Sequence, residues 1–302
     1  MRFTISLPLG EIAPGEFQSM AAIQAMTRAL EAAKVDACFV TDHPAPSASW
    51  LHATGHDALD PFTALSFVAA ASTSLLVHTN IVVLPYRNPF LTAKMAATLQ
   101  VLSGGRLILG TGNGYQVEEF DALGVAFHKR GKLFDEALET IRLAWAGGAV
   151  VKHGMTFNAP GNEARPVPDP LPPIWIGGGS DKAVERAVRW GDGWSPIFAA
   201  PTLSAANRSA AIYSVEELAA KIDRVKEGRA ASGKTGRFDI AIGPRVHLQI
   251  GSAQSAEAML AALAELASVG VTWAMVELPC PSRAAYIEAV QWFGKEVIEK
   301  SC

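Results

Sequence analysis

The chain has 302 residues, of which 49% are apolar and 18% are charged, and its formal net charge is -3 at pH 7. This composition excludes a disordered chain, because it offers ample apolar material for a core and carries little charge. The length alone allows either one large core or two modest ones. No cluster of Lys and Arg supports binding to nucleic acid or to an anionic membrane, so we expect small molecules as partners.

The three cysteines and the N-terminus bear on the cellular setting. Cys38, Cys280 and Cys302 are scattered and form no CxxC pair, which argues against a disulfide scaffold or a thiolate zinc site. We expect all three to be structural. Residues 1–5 lack the apolar stretch of a signal peptide, and no segment approaches about 18 uninterrupted apolar residues. These features predict a cytoplasmic protein without a membrane span.

Short β-branched or aromatic runs alternate with longer amphipathic stretches along the chain. The eight predicted strands are residues 3–7, 37–41, 77–84, 107–110, 174–177, 193–197, 240–250 and 273–278. The eight predicted helices are residues 17–33, 61–74, 90–102, 130–146, 181–190, 215–231, 255–268 and 282–300. Eight strand–helix units predict an α/β fold, a (β/α)8 TIM barrel whose parallel sheet is covered by helices.

A minimal barrel of about 250 residues leaves about 50 residues over. We therefore predict a single barrel domain spanning residues 1–302, with excursions at about 147–173 and 198–213. The first excursion holds six of the eighteen prolines, and the second is rich in Ala, Ser and Pro. We expect both to lie at the C-terminal face of the barrel, where such excursions build the active-site mouth and select the substrate.

Residues 228–235 match the P-loop pattern GxxxxGK[ST]. A P-loop requires a strand before it and a helix after it, so that backbone N–H groups surround the phosphates. Here a charged helical stretch precedes the motif and a predicted strand follows it. We interpret residues 228–235 as the turn that ends a helix.

Two other glycine clusters follow predicted strands. The cluster at residues 110–115 is not a GxGxxG fingerprint, and its glycines either let the backbone approach a flat ligand or form a tight connector. Residues 177–180 read Gly-Gly-Gly-Ser and lead directly into a predicted helix. Free N–H groups and the helix dipole predict a phosphate site there, with a simple turn as the alternative.

Asp42 and His43 close the second predicted strand, at the rim where barrel enzymes place catalytic residues. A core histidine with a satisfied neighbour is the alternative for His43. His52 and His56 have the i,i+4 spacing of zinc ligands, but the motif lacks its glutamate and no carboxylate cluster supports it. We expect no catalytic metal, and without a GxSxG elbow we expect no serine-hydrolase chemistry.

Several stretches resemble, in this order, the bacterial luciferase-like family of flavin- and deazaflavin-dependent oxidoreductases. They are Thr41-Asp42-His43, Leu84-Pro85-Tyr86-Arg87-Asn88-Pro89, Ser103-Gly104-Gly105-Arg106, Gly110-Thr111-Gly112-Asn113-Gly114-Tyr115, Glu118-Glu119-Phe120, Leu123-Gly124-Val125, Arg130-Gly131, Ile174-Trp175-Ile176-Gly177-Gly178-Gly179 and Gly191-Asp192-Gly193-Trp194. The similarity covers nearly the whole chain, and the Ser-Gly-Gly-Arg block with its following glycines is specific.

The resemblance implies a flavin or deazaflavin ring at the C-terminal mouth of the barrel. It places a non-prolyl cis peptide at Asn80-Ile81 behind the ring, a phosphate at Gly177 to Ser180, and His43 at the redox-active edge. The implied cofactor contacts are Asp42, His43, Asn80, Ile81, Gly112, Gly114, Tyr115, Gly177, Gly178, Gly179 and Ser180. The implied substrate contacts are Trp50, Tyr115 and Trp194.

The sequence at residues 41–43 and 191–194 resembles the branch of the family that uses coenzyme F420. In that branch a hydride passes between the ring and a substrate stacked on it. Sugar-phosphate dehydrogenases of that branch carry a glutamate acid/base just after the glycine loop, where this chain has Tyr115. This departure argues against sugar-phosphate oxidation as the activity, and it leaves His43 as the expected proton donor or base. Glu118 and Glu119 either support the site or begin a solvated helix.

The sequence therefore predicts an F420-dependent oxidoreductase acting on a small, largely apolar substrate. Two alternative functions are also open. The first is an FMN-dependent monooxygenase in which reduced flavin activates oxygen, and the second is a non-catalytic flavin-binding barrel. Asp42, His43 and the glycine phosphate site argue against the latter. A homodimer is expected from the family resemblance alone.

Overall fold

The computed structural model describes residues 1–10, 15–199 and 210–301. Within them, ten strands are formed: β1 Arg2–Ser6, β2 Ala37–Val40, β3 Leu76–Val83, β4 Leu107–Gly112, β5 Val150–His153, β6 Asn158–Asn162, β7 Ile174–Gly177, β8 Gly193–Ser195, β9 Asp239–Ile242 and β10 Trp273–Val276. Eight of them close a parallel barrel in the order β1-β10-β9-β8-β7-β4-β3-β2, and β5 and β6 form a separate antiparallel pair. The predicted (β/α)8 barrel is confirmed.

Ten α-helices surround this sheet in the described part of the chain: α1 Met20–Ala32, α2 Ala48–Thr54, α3 Pro61–Ala71, α4 Pro89–Leu102, α5 Val117–Ala122, α6 Arg130–Trp145, α7 Asp181–Trp190, α8 Val215–Ala231, α9 Ala253–Ser268 and α10 Arg283–Phe293. Serine side chains cap several of them by accepting a first-turn N–H, as Ser214 does from Glu217 and Ser282 from Ala285. None of these helices combines the length and the apolar character that crossing a membrane requires.

The predicted strand 240–250 is wrong beyond Ile242, where β9 ends. Gly243 and Pro244 follow, and proline has no N–H to offer a strand ladder. Residues 243–250 instead form irregular chain at the mouth of the barrel. The P-loop-like motif is the end of α8, as interpreted: Gly233 adopts a φ of +68° just after the helix, and β9 follows.

The interior of the barrel is filled by large side chains beside glycines. Trp175, Trp273 and His78 are buried there, with ring centroids 5.2 Å apart between the two tryptophans and 4.8 Å apart between His78 and Trp175. A Cβ on Gly193 would lie 2.4 Å from the Trp175 ring, and one on Gly110 would lie 2.1 Å from the Thr79 carbonyl oxygen and 2.8 Å from His78 Nε2. The two glycines therefore make room for these rings.

The excursion at residues 147–173 does not start and end at the mouth, contrary to our expectation, although its hairpin reaches the first turn of α4, where the Phe157 and Phe90 ring centroids lie 5.5 Å apart. It joins the end of α6 to the start of β7, so both of its ends belong to the opposite, N-terminal face. Between them, the β5–β6 hairpin packs along the outside of α6 and α4. The Met155 N–H donates to Glu136 Oε1 at 2.8 Å, and Gln100 Nε2 donates to the Pro170 carbonyl at 2.9 Å.

The second excursion does lie at the mouth in its described part. Phe198 bridges to Ile212, and the Ile212 N–H donates to the Ile197 carbonyl at 2.8 Å, just beyond β8. Residues 200–209 of this excursion, and Cys302, lie outside the described residues. Cys38 is fully buried and its burial raises its pKa to about 12, so it is an inert core thiol as expected.

Candidate active site

Three neighbouring cavities open at the C-terminal ends of the barrel strands. The anion cavity, of about 440 Å³, lies between Ile81, the loop after β4 and the loop after β7. The β9–β10 cavity, of about 620 Å³, lies beyond the ends of β9 and β10 and shares Asn80 and Ile197 with the anion cavity. A third cavity of about 270 Å³ shares Glu277 and Leu278 with the β9–β10 cavity. Together they span a mouth large enough for a cofactor and a substrate.

The wall between the anion cavity and the β9–β10 cavity is a bulge in β3. The Asn80-Ile81 peptide is cis, and the pairing of β3 with β4 shifts register there. The Ile81 side chain lies over two glycines: a Cβ on Gly112 would lie 1.7 Å from Ile81 Cδ1, and one on Gly177 would lie 3.1 Å from it. Gly112 therefore makes room for Ile81, whereas we had expected it to make room for a ligand.

The glycine loop after β7 is held from behind by backbone hydrogen bonds. The Gly178 N–H donates to the Ser195 carbonyl at 3.2 Å and the Gly179 N–H to the Ala210 carbonyl at 2.9 Å. The prediction that these two N–H groups are free to bind a phosphate is therefore wrong. The Ser180 side chain caps α7 by accepting from the Ala183 N–H at 3.1 Å. The anion-binding capacity of this loop therefore comes from the first turn of α7 and its dipole.

Two arginines that the sequence analysis did not single out complete the anion cavity. Arg130 and Arg186 both line it. Arg186 is oriented by Asp135, whose Oδ1 accepts from Arg186 Nε at 2.6 Å, and the Arg130 guanidinium lies 3.9 Å from the centroid of the Phe127 ring. Guanidinium groups beside a helix N-terminus are well suited to a phosphate.

His43 lies at the end of β2 and keeps 11% of its side chain exposed. Its Nδ1 lies 3.4 Å from Glu119 Oε2 and 3.1 Å from Gln116 Nε2. Glu119 itself is buried on α5 and also accepts from the Tyr86 hydroxyl at 2.9 Å and the Ala45 N–H at 3.1 Å. The structure therefore favours the interpretation in which Glu119 supports the site over the one in which it begins a solvated helix.

The electrostatics keep Glu119 charged and its tyrosine neighbours neutral. Burial by itself raises the pKa of Glu119, but the hydrogen bonds to His43, Ala45 and Tyr86 outweigh it, and the pKa is lowered. Burial, together with the Glu119 charge, raises the pKa of Tyr86. Burial likewise raises the pKa of Tyr115. His43 thus faces one buried carboxylate and uncharged phenols.

Aromatic rings enclose His43 on its other sides. The centroid of its ring lies 4.7 Å from that of Trp50, 5.3 Å from that of His56 and 6.0 Å from that of Tyr115. Tyr115 lines the anion cavity and His56 lines the third cavity, so His43 stands between the two. Of these rings Tyr115 and His56 line a cavity, whereas His43 and Trp50 line none of the three.

Trp194 does not form a wall of the mouth, contrary to our expectation. It is fully buried in β8, and its Nε1–H donates to the Gly178 carbonyl at 2.8 Å. Because this hydrogen bond fixes the glycine loop, Trp194 contributes to the site by positioning Gly178. Its position inside the fully buried strand β8 decides this, and the residue type alone does not indicate it.

Asp42 also has a different role from the expected ring contact. It is 3% exposed and accepts two hydrogen bonds from the Arg87 guanidinium, at 2.6 Å and 2.9 Å. A third comes from the Val83 N–H at 2.9 Å. Asp42 lines none of the three cavities formed by the described residues. It ties β2 to the end of β3 and so positions His43.

A family model described as luciferase-like monooxygenase matches residues 1–300. An uncharacterized protein of Mycobacterium tuberculosis is 34% identical over 62% of this chain, and the match spans 59% of that protein's length. An F420-dependent glucose-6-phosphate dehydrogenase of Kineococcus radiotolerans is 29% identical over 82% of this chain and 68% of its own. An F420-dependent hydroxymycolic acid dehydrogenase of M. tuberculosis is 29% identical over 56% of this chain and 47% of its own.

Solved structures share the fold at low sequence identity. A monooxygenase from Streptomyces bottropensis superposes with a TM-score of 0.80 at 18% identity, covering 100% of both chains. An F420-dependent secondary alcohol dehydrogenase superposes with a TM-score of 0.73 at 17% identity, covering 98% of both chains. These likenesses show the same barrel.

Proposed function

Because the chain belongs to the luciferase-like monooxygenase family, a family of oxidoreductases, we propose that it is an F420-dependent enzyme that transfers a hydride between the deazaflavin ring and a small organic substrate. The observation that carries the proposal is the anion cavity, which places two guanidinium groups and a helix N-terminus on one side and Ile81 on the other. Relatives named as F420-dependent, matching up to 82% of the chain, support the choice of cofactor.

The residues present fit a ring with a phosphate-bearing tail. Arg130, Arg186 and the first turn of α7 would hold the phosphate, because all three concentrate positive potential in one cavity. Ile81 would support the ring, since its side chain is fixed against Gly112 and Gly177. When bound, the deazaflavin supplies a ring carbon that takes up or gives up a hydride.

His43 would donate or accept the proton that is transferred together with the hydride. If Nδ1 keeps its proton and donates it to Glu119 in a hydrogen bond, Nε2 is the ring nitrogen that would take up and release the transferred proton. The Glu119 hydrogen bond would then fix the tautomer and orientation of the ring, as an acid/base residue requires. Glu119 is a positioning residue in this scheme, because it acts through His43.

Titration of the cofactor-free protein with F420 and with FMN, followed by ring fluorescence, tests this proposal. We expect F420 to bind at micromolar concentration and FMN to bind more weakly. Binding of FMN without F420 would replace the proposal with a flavin-dependent oxygenase, because a deazaflavin lacks the ring nitrogen on which productive oxygen activation depends. Binding of neither would favour a non-catalytic barrel.

We further propose that the protein is a homodimer formed through α3 and α4. These adjacent helices expose large apolar side chains, with Phe67 51%, Leu91 64% and Leu102 80% exposed. Exposed apolar groups of this size on neighbouring elements are typical of protein interfaces. Sedimentation equilibrium should give twice the chain mass for the wild type, and Leu91→Lys should shift the equilibrium toward the monomer. A wild-type monomer at all concentrations would contradict this.

A further inference from the structure

The β9–β10 cavity has an apolar floor to which several elements contribute. Phe39, Leu248, Met259, Met275 and Leu278 line it and are each buried. They come from β2, β10, α9 and the segments that follow β9 and β10. The volume of about 620 Å³ is within the range of small-molecule pockets. Such a floor favours a ligand with an apolar body, because buried apolar area contributes to affinity.

The rim of this cavity carries a guanidinium group that the protein holds in place. Arg245 Nη2 donates to the Ile212 carbonyl at 3.3 Å and to the Tyr213 carbonyl, and the guanidinium lies 4.2 Å from the centroid of the Phe198 ring. Both hydrogen bonds use Nη2, so Nε and Nη1 donate to no group of the described residues. Arg245 can therefore donate to an anionic group in the cavity and keep its backbone contacts.

The same rim carries a carboxylate of its own. Glu277 follows β10, is exposed, and forms no hydrogen bond or ion pair with the described residues. It also lines the third cavity, where Asp57 adds a second carboxylate and where the described lining residues include no lysine or arginine. Arg245 lines the β9–β10 cavity but not the third cavity. The cavity is therefore positive on its Arg245 side and negative on its Glu277 side.

Two more polar side chains line the cavity. His247 is exposed on the same segment as Arg245, and Asn80 lies at the β3 bulge, where it lines the anion cavity as well. A ligand on the apolar floor would therefore reach the bulge that supports the ring in the proposed function. The charges also differ from those of the anion cavity, where Arg130 and Arg186 lie beside a helix N-terminus.

We infer that the β9–β10 cavity binds a zwitterion of the α-amino acid type, with its carboxylate on Arg245, its ammonium group on Glu277 and its apolar side chain on the floor. A simple anion would lie beside the Glu277 charge, and a simple cation would lie beside the Arg245 charge. A ligand that carries both charges is complementary to both sides of the rim. That this ligand is the substrate rests on the proposed function, whereas its binding does not.

Three ligands with the same aromatic ring test the two charges separately. Calorimetry on the cofactor-free protein should give an affinity for L-phenylalanine at least tenfold higher than for 3-phenylpropanoate, which lacks the ammonium group. The affinity for 2-phenylethylamine, which lacks the carboxylate, should be lower by a similar factor. This factor is within the range for one lost hydrogen bond between charged groups. If either single-charge ligand binds as tightly as L-phenylalanine, or if none of the three binds, the inference is overturned.

Two variants assign each charge of the ligand to its partner. Glu277→Gln should weaken L-phenylalanine binding at least tenfold and leave 3-phenylpropanoate binding no weaker. Arg245→Gln should weaken L-phenylalanine binding and leave 2-phenylethylamine binding no weaker. The matched control is Glu265→Gln, which makes the same change of charge at an exposed position of α9 that lines none of the three cavities. Equal L-phenylalanine affinity in Glu277→Gln and Glu265→Gln would contradict the site.

F420 titration of the same proteins separates this inference from the proposed function. We expect F420 to bind the wild type and all three variants, because none of the substituted residues lines the anion cavity. F420 binding without L-phenylalanine binding to the wild type overturns the inference alone. L-phenylalanine binding with the predicted variant effects, but without F420 binding, supports the zwitterion site and contradicts the proposed function.

Discussion

Two histidines on neighbouring strands of the barrel have opposite surroundings. His43, at the end of β2, lies beside the buried carboxylate of Glu119 and keeps part of its ring exposed. His78, within β3, is fully buried against Trp175, and its Nε2 has no hydrogen-bond partner among the described residues. Burial lowers the pKa of His78 to about 3. The environment thus makes one histidine suited to proton transfer and holds the other neutral as part of the core.

Catalysis should depend most strongly on His43. If His43 moves the proton, His43→Ala should lower kcat about 10²- to 10⁴-fold, the range typical of general acid–base catalysis. F420 affinity and Tm should change little, because the ring lies at the rim. The matched control is His52→Ala, which removes an exposed histidine from α2 nearby. Normal turnover by His43→Ala would remove the residue from the mechanism.

The buried histidine should affect stability and leave catalysis unchanged. The folded-state pKa of His78 is about 3 against a reference of 6.5, so the unfolded chain binds a proton that the folded chain does not. The free energy of unfolding therefore falls as pH drops from about 6.5 toward 3, by roughly 4 to 5 kcal/mol in total. Urea unfolding across this range should show a shallower pH dependence for His78→Leu than for the wild type. Identical pH dependence in the two proteins would contradict a buried neutral His78.

Removal of the carboxylate beside His43 should have an intermediate effect. We expect Glu119→Gln to lower kcat about 10- to 100-fold with little change in KM, a loss typical of residues that orient a reacting group. Tyr86→Phe is the control, since it removes one donor to Glu119 and keeps the carboxylate. A loss of kcat in Tyr86→Phe as large as that in Glu119→Gln, or a change in KM that accounts for the whole loss in kcat/KM, would indicate a purely structural role.

The smallest of these effects concerns the anion cavity. Arg186→Gln should weaken F420 binding about tenfold, within the range for a hydrogen bond to a charged group. Arg189→Gln makes the same change in charge on the same helix, at an exposed position. Fluorescence titration should separate the two variants. If both weaken binding equally, the cofactor responds to net charge and the cavity is not its phosphate site.

Much of the barrel could be predicted because its signals are local. The apolar runs of β2, β3 and β7 and the serines before α8 and α10 mark their own elements. His43 stood out because it follows a strand end, whereas a mid-strand histidine such as His78 reads as core. The predicted strand continues past Ile242, where β9 ends. An apolar pattern does not indicate that the proline at position 244 has no N–H to donate to a neighbouring strand.

The rest of the site depends on contacts between distant parts of the chain. Glu119 meets His43 across 76 residues, and Arg186 meets Asp135 across 51. Neither pair leaves a periodic signal in the sequence. The sequence predicts the glycine loop between β7 and α7, but it also predicts free N–H groups there, because the partners of Gly178 and Gly179, Ser195 and Ala210, come from later segments. Side-chain type indicates what a residue can do, and tertiary pairing decides whether it does so.

The most direct measurement follows the hydride itself. Reduced F420 with deuterium in both positions of the ring carbon that gives up the hydride would be incubated with the enzyme and a panel of small carbonyl compounds, and the products analysed by mass spectrometry. We expect one deuterium on the carbon that is reduced and an equal amount of oxidised F420. Product formed without deuterium, or turnover that requires reduced FMN and oxygen, would contradict hydride transfer from F420.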